Sequence, residues 1–146
     1  MGKKIKVENS FSTVLGKASR LLGNQISRQL SDYQVTGEQW AILASLWRID
    51  GQTQQSLADV SNKNKASITH LIDNLEKRRL VERRADKSDR RNKLIFLTSE
   101  GASLQEELSR IVKKTTKEAT AGIDKKELKS AKKVLKKMVE NLVAEN

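Results

Sequence analysis

The stretch KASITHLIDNLEKRRLVERRADKSDRRNKLIFL, residues 65–97, decides the fold. Its first half places Ile68, Leu71, Ile72 and Leu75 three and four residues apart, the spacing of one buried face of a helix. The opposite face carries Ala66, Ser67, Thr69, His70, Asp73, Asn74 and Lys77. After Arg79 the period changes. Leu80 to Arg84 and Lys93 to Leu97 are short runs with β-branched and aromatic residues, separated by the polar connection Ala85 to Asn92, and they predict a β-hairpin.

Working upstream, Ser61 to Asn64 is a tight polar turn, and before it Thr53 can cap a short helix carrying Leu57, Ala58 and Val60. Asp50-Gly51 closes a further helix running to about Ile49. That helix opens on a capping box, Thr36 with Gln39, and shows Trp40, Leu43, Leu46 and Trp47 on one face. Both tryptophans read as core anchors. The result is helix, short turn, helix, hairpin: a winged helix-turn-helix.

The flanks are long helices. Phe11, Leu15, Ala18, Leu22, Ile26 and Leu30 draw one stripe along a helix that precedes the lobe. Thr98 caps a helix bearing Leu104, Leu108, Ile111 and Val112. Asp124 with Glu127 opens a last helix, whose Leu128, Ala131, Leu135, Met138 and Leu142 make a helix–helix seam. These arms have no further domain to bury them, so they are expected to pack against each other and against a second copy of the chain. The organisation read from the sequence is one domain over 1–146. Residues 1–35 and 99–146 form the dimerisation helices, and residues 36–98 form the DNA-binding lobe.

Composition narrows the function. The 146 residues hold 29 Lys and Arg against 18 Asp and Glu, a formal charge of +11, the electrostatic footprint of a polyanionic partner. With no cysteine and one histidine, thiol chemistry and clustered His or Cys metal sites are disfavoured, and no cofactor is expected. No run approaches the roughly 20 apolar residues of a membrane span. The start, Met1 to Val7, lacks the apolar stretch of a signal peptide, so a cytoplasmic protein is expected. The Asp86 and Asp89 pair sits on a charged hairpin tip, with no desolvated pocket to tune it, so an enzyme is not expected.

The candidate contacts to double-stranded DNA form two groups. Lys63, Lys65, Ser67, Thr69 and His70 cluster at the start of the helix over 65–77, where backbone N–H groups favour phosphate, and Asn74 follows on the same face. Ser, Thr and His there can reach base edges. On the hairpin, the adjacent Arg90 and Arg91 suit minor-groove insertion, and Arg84, Lys87 and Asp89 complete the candidate DNA-binding residues. A guanidinium held by Asp86 or Asp89 needs less ordering on entry. The lysine-rich last helix reads as a solubilising face.

From Thr36 to Gly101 the chain resembles the MarR family of bacterial regulators, closest to its SlyA-like branch. Asp86-Lys-Ser-Asp89-Arg90-Arg91, followed by Leu94-Ile-Phe-Leu-Thr98-Ser-Glu-Gly101, is similar to the family's wing and its Leu-Thr-x-x-Gly helix start. Ala66-Ser-Ile-Thr-His-Leu-Ile-Asp-Asn-Leu-Glu-Lys resembles its recognition helix. The resemblance implies a dimeric repressor on a pseudo-palindromic operator, with Arg91 entering the minor groove and Asp89 and Arg90 supporting the wing. It also implies a small phenolic or anionic effector between the arms and the lobes. Two positions depart from the pattern: Arg79 stands where a glycine usually ends the recognition helix, and His70 where an arginine is frequent. An architectural DNA-binding protein of weak specificity is the alternative, and a helical adaptor a more distant one.

Overall fold

The structure, a computed structural model, describes residues 7–61 and 63–145. The leading residues of the expected N-terminal arm, and Asn62 within the expected turn, lie outside the described residues. The chain divides into two compact units, one through Thr115 and one from Thr116 on.

In the first unit, α1 spans Phe11–Gln29, with the Ser10 hydroxyl accepting from the Thr13 N–H. Only the C-terminal half of its stripe is buried in this chain. Ile26 and Leu30 are in the core, while Phe11, Val14 and Leu21 stay more than half exposed. α2 spans Gly37–Arg48 behind the expected capping box. The Gln39 N–H reaches the Thr36 hydroxyl at 3.1 Å, and the Thr36 N–H reaches the Gln39 side chain at 3.1 Å. Two otherwise orphaned donors are thereby satisfied, at a gain of about 1 kcal/mol.

Gly51 turns the chain at φ 71, and a Cβ there would stand 2.7 Å from the Phe96 ring. The turn delivers β1, Gln52–Thr53, onto β3. α3 (Gln54–Ser61), α4 (Lys65–Lys77), β2 (Val81–Ala85) and β3 (Lys93–Leu97) follow, in an antiparallel sheet of order β1-β3-β2. The hairpin falls where it was expected, within one residue. β1 was not foreseen, because two residues are too few to alternate. Thr53 caps α3 through the Ser56 N–H.

Leu43, Leu46, Leu57, Ile68, Ile72, Leu75, Val81 and Ile95 close into one core with 1% exposure or less. Each is a side chain whose burial stabilises by about 1.5–3 kcal/mol. Trp40 and Trp47 pack against it. Val60 does not join them: it is 55% exposed, because α3 turns Leu57 and Ala58 inward and ends one residue after Val60. After Thr98 the expected single helix is two, α5 (Ser99–Ser103) and α6 (Gln105–Ala119), with Leu104 between them.

The second unit holds the end of α6 and α7, Lys125–Ala144. Asp124 caps α7 through the Lys126 N–H rather than that of Glu127. No described residue of α7 is buried, and Leu135 and Leu142 of its expected seam are exposed, as is Val139 beside them. No helix of the described residues is long and apolar enough to cross a membrane.

Candidate nucleic-acid interface

α4 begins with Asn64, whose side-chain oxygen accepts from the Ser67 N–H at 2.8 Å. With Ile68, Ile72 and Leu75 locked into the core, the opposite face is fixed outward. Lys65, Ser67, His70 and Asn74 are exposed on it together. The other two members of the expected cluster are engaged within the protein. Lys63 pairs with Glu38 at 2.9 Å and ties the turn before α4 to the start of α2. Thr69 is half-buried, its hydroxyl donating to the Lys65 carbonyl at 2.8 Å and accepting from the Gln54 amide.

The wing tip is built by its aspartates. The Asp86 N–H donates to the Asn92 carbonyl and the Asn92 N–H to the Asp89 carbonyl, at 2.9 and 3.0 Å. The Asp86 carboxylate accepts from the Ser88 N–H at 3.0 Å and from its hydroxyl at 2.8 Å. Those hydrogen bonds to the charged form hold the Asp86 carboxyl below the usual carboxylate range. Asp89 does the tethering. It accepts from the Arg91 N–H at 3.0 Å, and the Arg91 Nε lies 3.6 Å from the same oxygen. The Arg91 side chain is otherwise 94% exposed. Of the two carboxylates expected to steady a guanidinium, Asp89 steadies Arg91 and Asp86 shapes the loop. Lys87 and Arg90 are exposed beside it. Arg84 is set back on β2, where it pairs with Glu82 and lies over the Phe96 ring at 4.5 Å from its centroid.

Sequence reasoning missed Arg83. This β2 residue is 17% exposed and donates to Asp73 at 2.6 Å and to Glu76 at 2.8 Å, while its backbone N–H reaches the second Glu76 oxygen at 3.1 Å. One guanidinium therefore bonds both acids of α4, offsets one of their two charges and ties the wing to that helix. The signal was the pair of carboxylates itself: a helix facing phosphates needs a cation to cover them, and β2 supplies the arginine. A cleft of about 380 Å³ lies between α3, the start of α4 and the wing, and Lys65, Arg83, Arg91 and Lys93 line it with Gln54. With Arg83 already held by Asp73 and Glu76, the exposed Lys65, Arg91 and Lys93 give this concave surface the positive charge that favours a phosphate backbone.

The far end of α4 is equally constrained. Arg79 adopts φ 59, the left-handed conformation expected of the glycine it replaces. The Thr98 hydroxyl donates to its carbonyl at 2.6 Å and accepts from the Gly101 N–H at 3.1 Å. Gly101 lies against the strand entry so closely that a Cβ would stand 2.0 Å from the Leu80 carbonyl oxygen. The Trp47 indole donates to the Gly101 carbonyl at 3.0 Å. The spacing Leu-Thr-x-x-Gly is thus a joint where α2, α4 and α5 meet. The Arg78 guanidinium adds a brace to the carbonyls of Tyr33 and Gln34.

The sequence model of the MarR family matches residues 35–93. Solved structures of similar chains agree along nearly the whole length. The transcriptional regulator PA3341 is 31% identical, with 92% of this chain and 99% of that chain covered and a TM-score of 0.82. A putative MarR family transcriptional regulator from Listeria monocytogenes, solved with a 26mer DNA, is 23% identical over 94% of this chain and 91% of that one, with a TM-score of 0.86. BpsR from Bordetella bronchiseptica, studied for regulation of its DNA binding by 6-hydroxynicotinic acid, is 21% identical over 93% and 97%, with a TM-score of 0.85. The last two are likenesses of fold.

Proposed function

The chain belongs to the MarR family of transcriptional regulators, and we propose that it acts as a homodimer that reads an inverted-repeat operator and represses transcription there. The observation that carries this is the Arg83 clamp. It ties the open face of α4 to the Arg91-bearing wing, with both α4 carboxylates bonded to the one guanidinium. A helix of this kind enters a major groove by its N-terminal half, here Lys65, Ser67 and His70, while the wing arginine takes the adjacent minor groove. Asn74, Lys87 and Arg90 lie at the margins of the same surface, Asp89 steadies Arg91, and Arg84 and Lys63 stand behind it in ion pairs with Glu82 and Glu38. The Listeria regulator's complex with DNA supports this use of the fold.

Dimerisation follows from unburied apolar faces. Phe11, Val14 and Leu21 on α1, and Val139 and Leu142 on α7, are more than half exposed in the single chain. A second copy covers them and sets two recognition helices about 34 Å apart, one turn of duplex. The protein works where its DNA lies, in the cytoplasm, as a regulator rather than an enzyme.

Effector control is the remaining part of the reading. A cleft of about 460 Å³ between α1 and α2 is lined by Ile26, Ser27, Trp40 and Lys63. The Trp40 indole N–H is buried without a hydrogen-bond partner, so it meets a phenolate or carboxylate oxygen only once the cleft opens, and the Lys63 ammonium on the lining is paired with Glu38. A ligand that prefers a dimer with the wrong lobe spacing lowers DNA affinity by that preference.

The deciding experiment is binding to the chain's own upstream DNA against random DNA near physiological salt. A preference of about 10³-fold or more is expected. Equal, weak binding with a steep salt slope would support an architectural protein instead.

A further inference from the structure

The chemistry left at Thr69 points to what the recognition helix reads. A threonine hydroxyl has one proton to give, and here it goes to the Lys65 carbonyl at 2.8 Å, the bond a mid-helix threonine makes to the preceding turn. The Gln54 amide of α3 donates to the same oxygen from the other side. Thr69 therefore has no O–H to offer a base acceptor. It nevertheless lines a shallow concavity on the outward face of α4, together with Lys65, Ala66, His70 and Asp73. With its oxygen turned inward, its γ-methyl is the group it presents there, beside the Ala66 methyl. The concavity thus joins two small apolar groups to the polar and charged side chains of Lys65, His70 and Asp73.

The major groove edge of a base pair carries one apolar group, the C5-methyl of thymine. We propose that Thr69 and Ala66 form a methyl-reading site that selects a thymine at one position of each half-site, with Gln54 acting as the positioning residue that keeps the Thr69 hydroxyl turned away. The inference rests on the operator-reading function above. It assigns Thr69 to specificity by shape and apolar contact, and leaves hydrogen-bonded readout to Ser67 and His70.

The test uses the full-length protein and an operator selected from a randomised duplex pool. Each thymine is replaced in turn by deoxyuridine, which removes only the methyl and leaves every hydrogen-bonding group in place. At one symmetry-related pair of thymines the Kd is expected to rise by about three- to fivefold per half-site, the scale of burying one methyl. Thr69→Ser, which keeps the hydroxyl and deletes the methyl, is expected to bind thymine and deoxyuridine operators alike. Thr69→Val, which keeps a methyl and deletes the hydroxyl, is expected to discriminate as the parent does. Matched thermal melts establish that both variants are folded. Discrimination that survives in Thr69→Ser, disappears in Thr69→Val or is absent from the parent overturns the proposal, provided the preference over random DNA stands. A selection that recovers no preferred duplex brings down the operator-reading function itself, and this inference with it.

Discussion

Arg79 carries backbone strain that a single substitution relieves. An L-residue held at φ 59 pays about 1 kcal/mol that glycine does not. The exposed Arg79 side chain makes no hydrogen bond among the described residues. Arg79→Gly is therefore expected to raise stability by up to about 0.5 kcal/mol, after the added freedom of the unfolded chain is deducted. Urea unfolding should show a higher midpoint with an unchanged slope. Arg91 is the opposite case, a residue that touches little of the fold and that we propose for DNA binding. Its side chain is 94% exposed and rests on Asp89 alone. Arg91→Ala should leave stability within about 0.5 kcal/mol, raise the operator Kd at least about tenfold, and lower the salt slope by about two, one for each protomer. Fluorescence anisotropy across a salt series reads both, and an unchanged Kd would remove the wing from the interface. The strain at Arg79 was legible in the sequence as a missing glycine. The choice of Asp89 over Asp86 was not, because the two aspartates are equivalent in a string and differ only once the Ser88 turn has claimed one of them.

Between elements, the clamp from β2 to α4 decides whether helix and wing move as one. Arg83→Met keeps the length and the apolar stem but leaves Asp73 and Glu76 side by side without their cation. Both acids are partly solvated, 59% and 41% exposed, so the expected loss is about 1–2 kcal/mol rather than the larger value of a fully buried pair. Amide exchange localises it: the Arg83 N–H, bonded to Glu76, should exchange faster while core amides of α2 keep their protection. Arg83→Lys should recover only part, because a point charge cannot fork to two carboxylates. This clamp spans neighbouring elements, and residue-by-residue periodicity does not see such pairings. What periodicity and capping do see was recovered well: the Thr36–Gln39 box, the Thr53 and Thr98 caps, and both hairpin strands are local in sequence, so their signals survive without tertiary context. The break at Leu104 left no such mark, since its neighbours suit a helix on either side.

For the whole molecule, the unanswered demand is apolar surface. The α1 stripe and the α7 seam were both readable, but one chain buries only the Ile26 and Leu30 end of the first and no described residue of the second. Val139→Glu puts a carboxylate on the exposed α7 face, where Val139 is 59% exposed. It is expected to weaken the dimer at least about tenfold, as burying an unpaired charge would, with helix content intact and operator affinity falling in parallel. Sedimentation at graded concentrations tests it, and a dimer of unchanged strength would place the interface elsewhere. Within the lobe, the contact of Trp47 with Gly101 joins residues 54 positions apart, and Gly101 can seat only against a strand entry already in place at Leu80. Closing so long a segment is costly before other contacts compensate it, so this joint is expected to form after the folding barrier. Trp47→Phe should then leave the refolding limb of a chevron in place and speed unfolding about fivefold, the loss of one hydrogen bond of about 1 kcal/mol. A shifted refolding limb would put the joint in the folding nucleus. The lifetime of the folded lobe, as distinct from the speed of its formation, is thus tuned at a joint where Gly101 leaves no room for a Cβ.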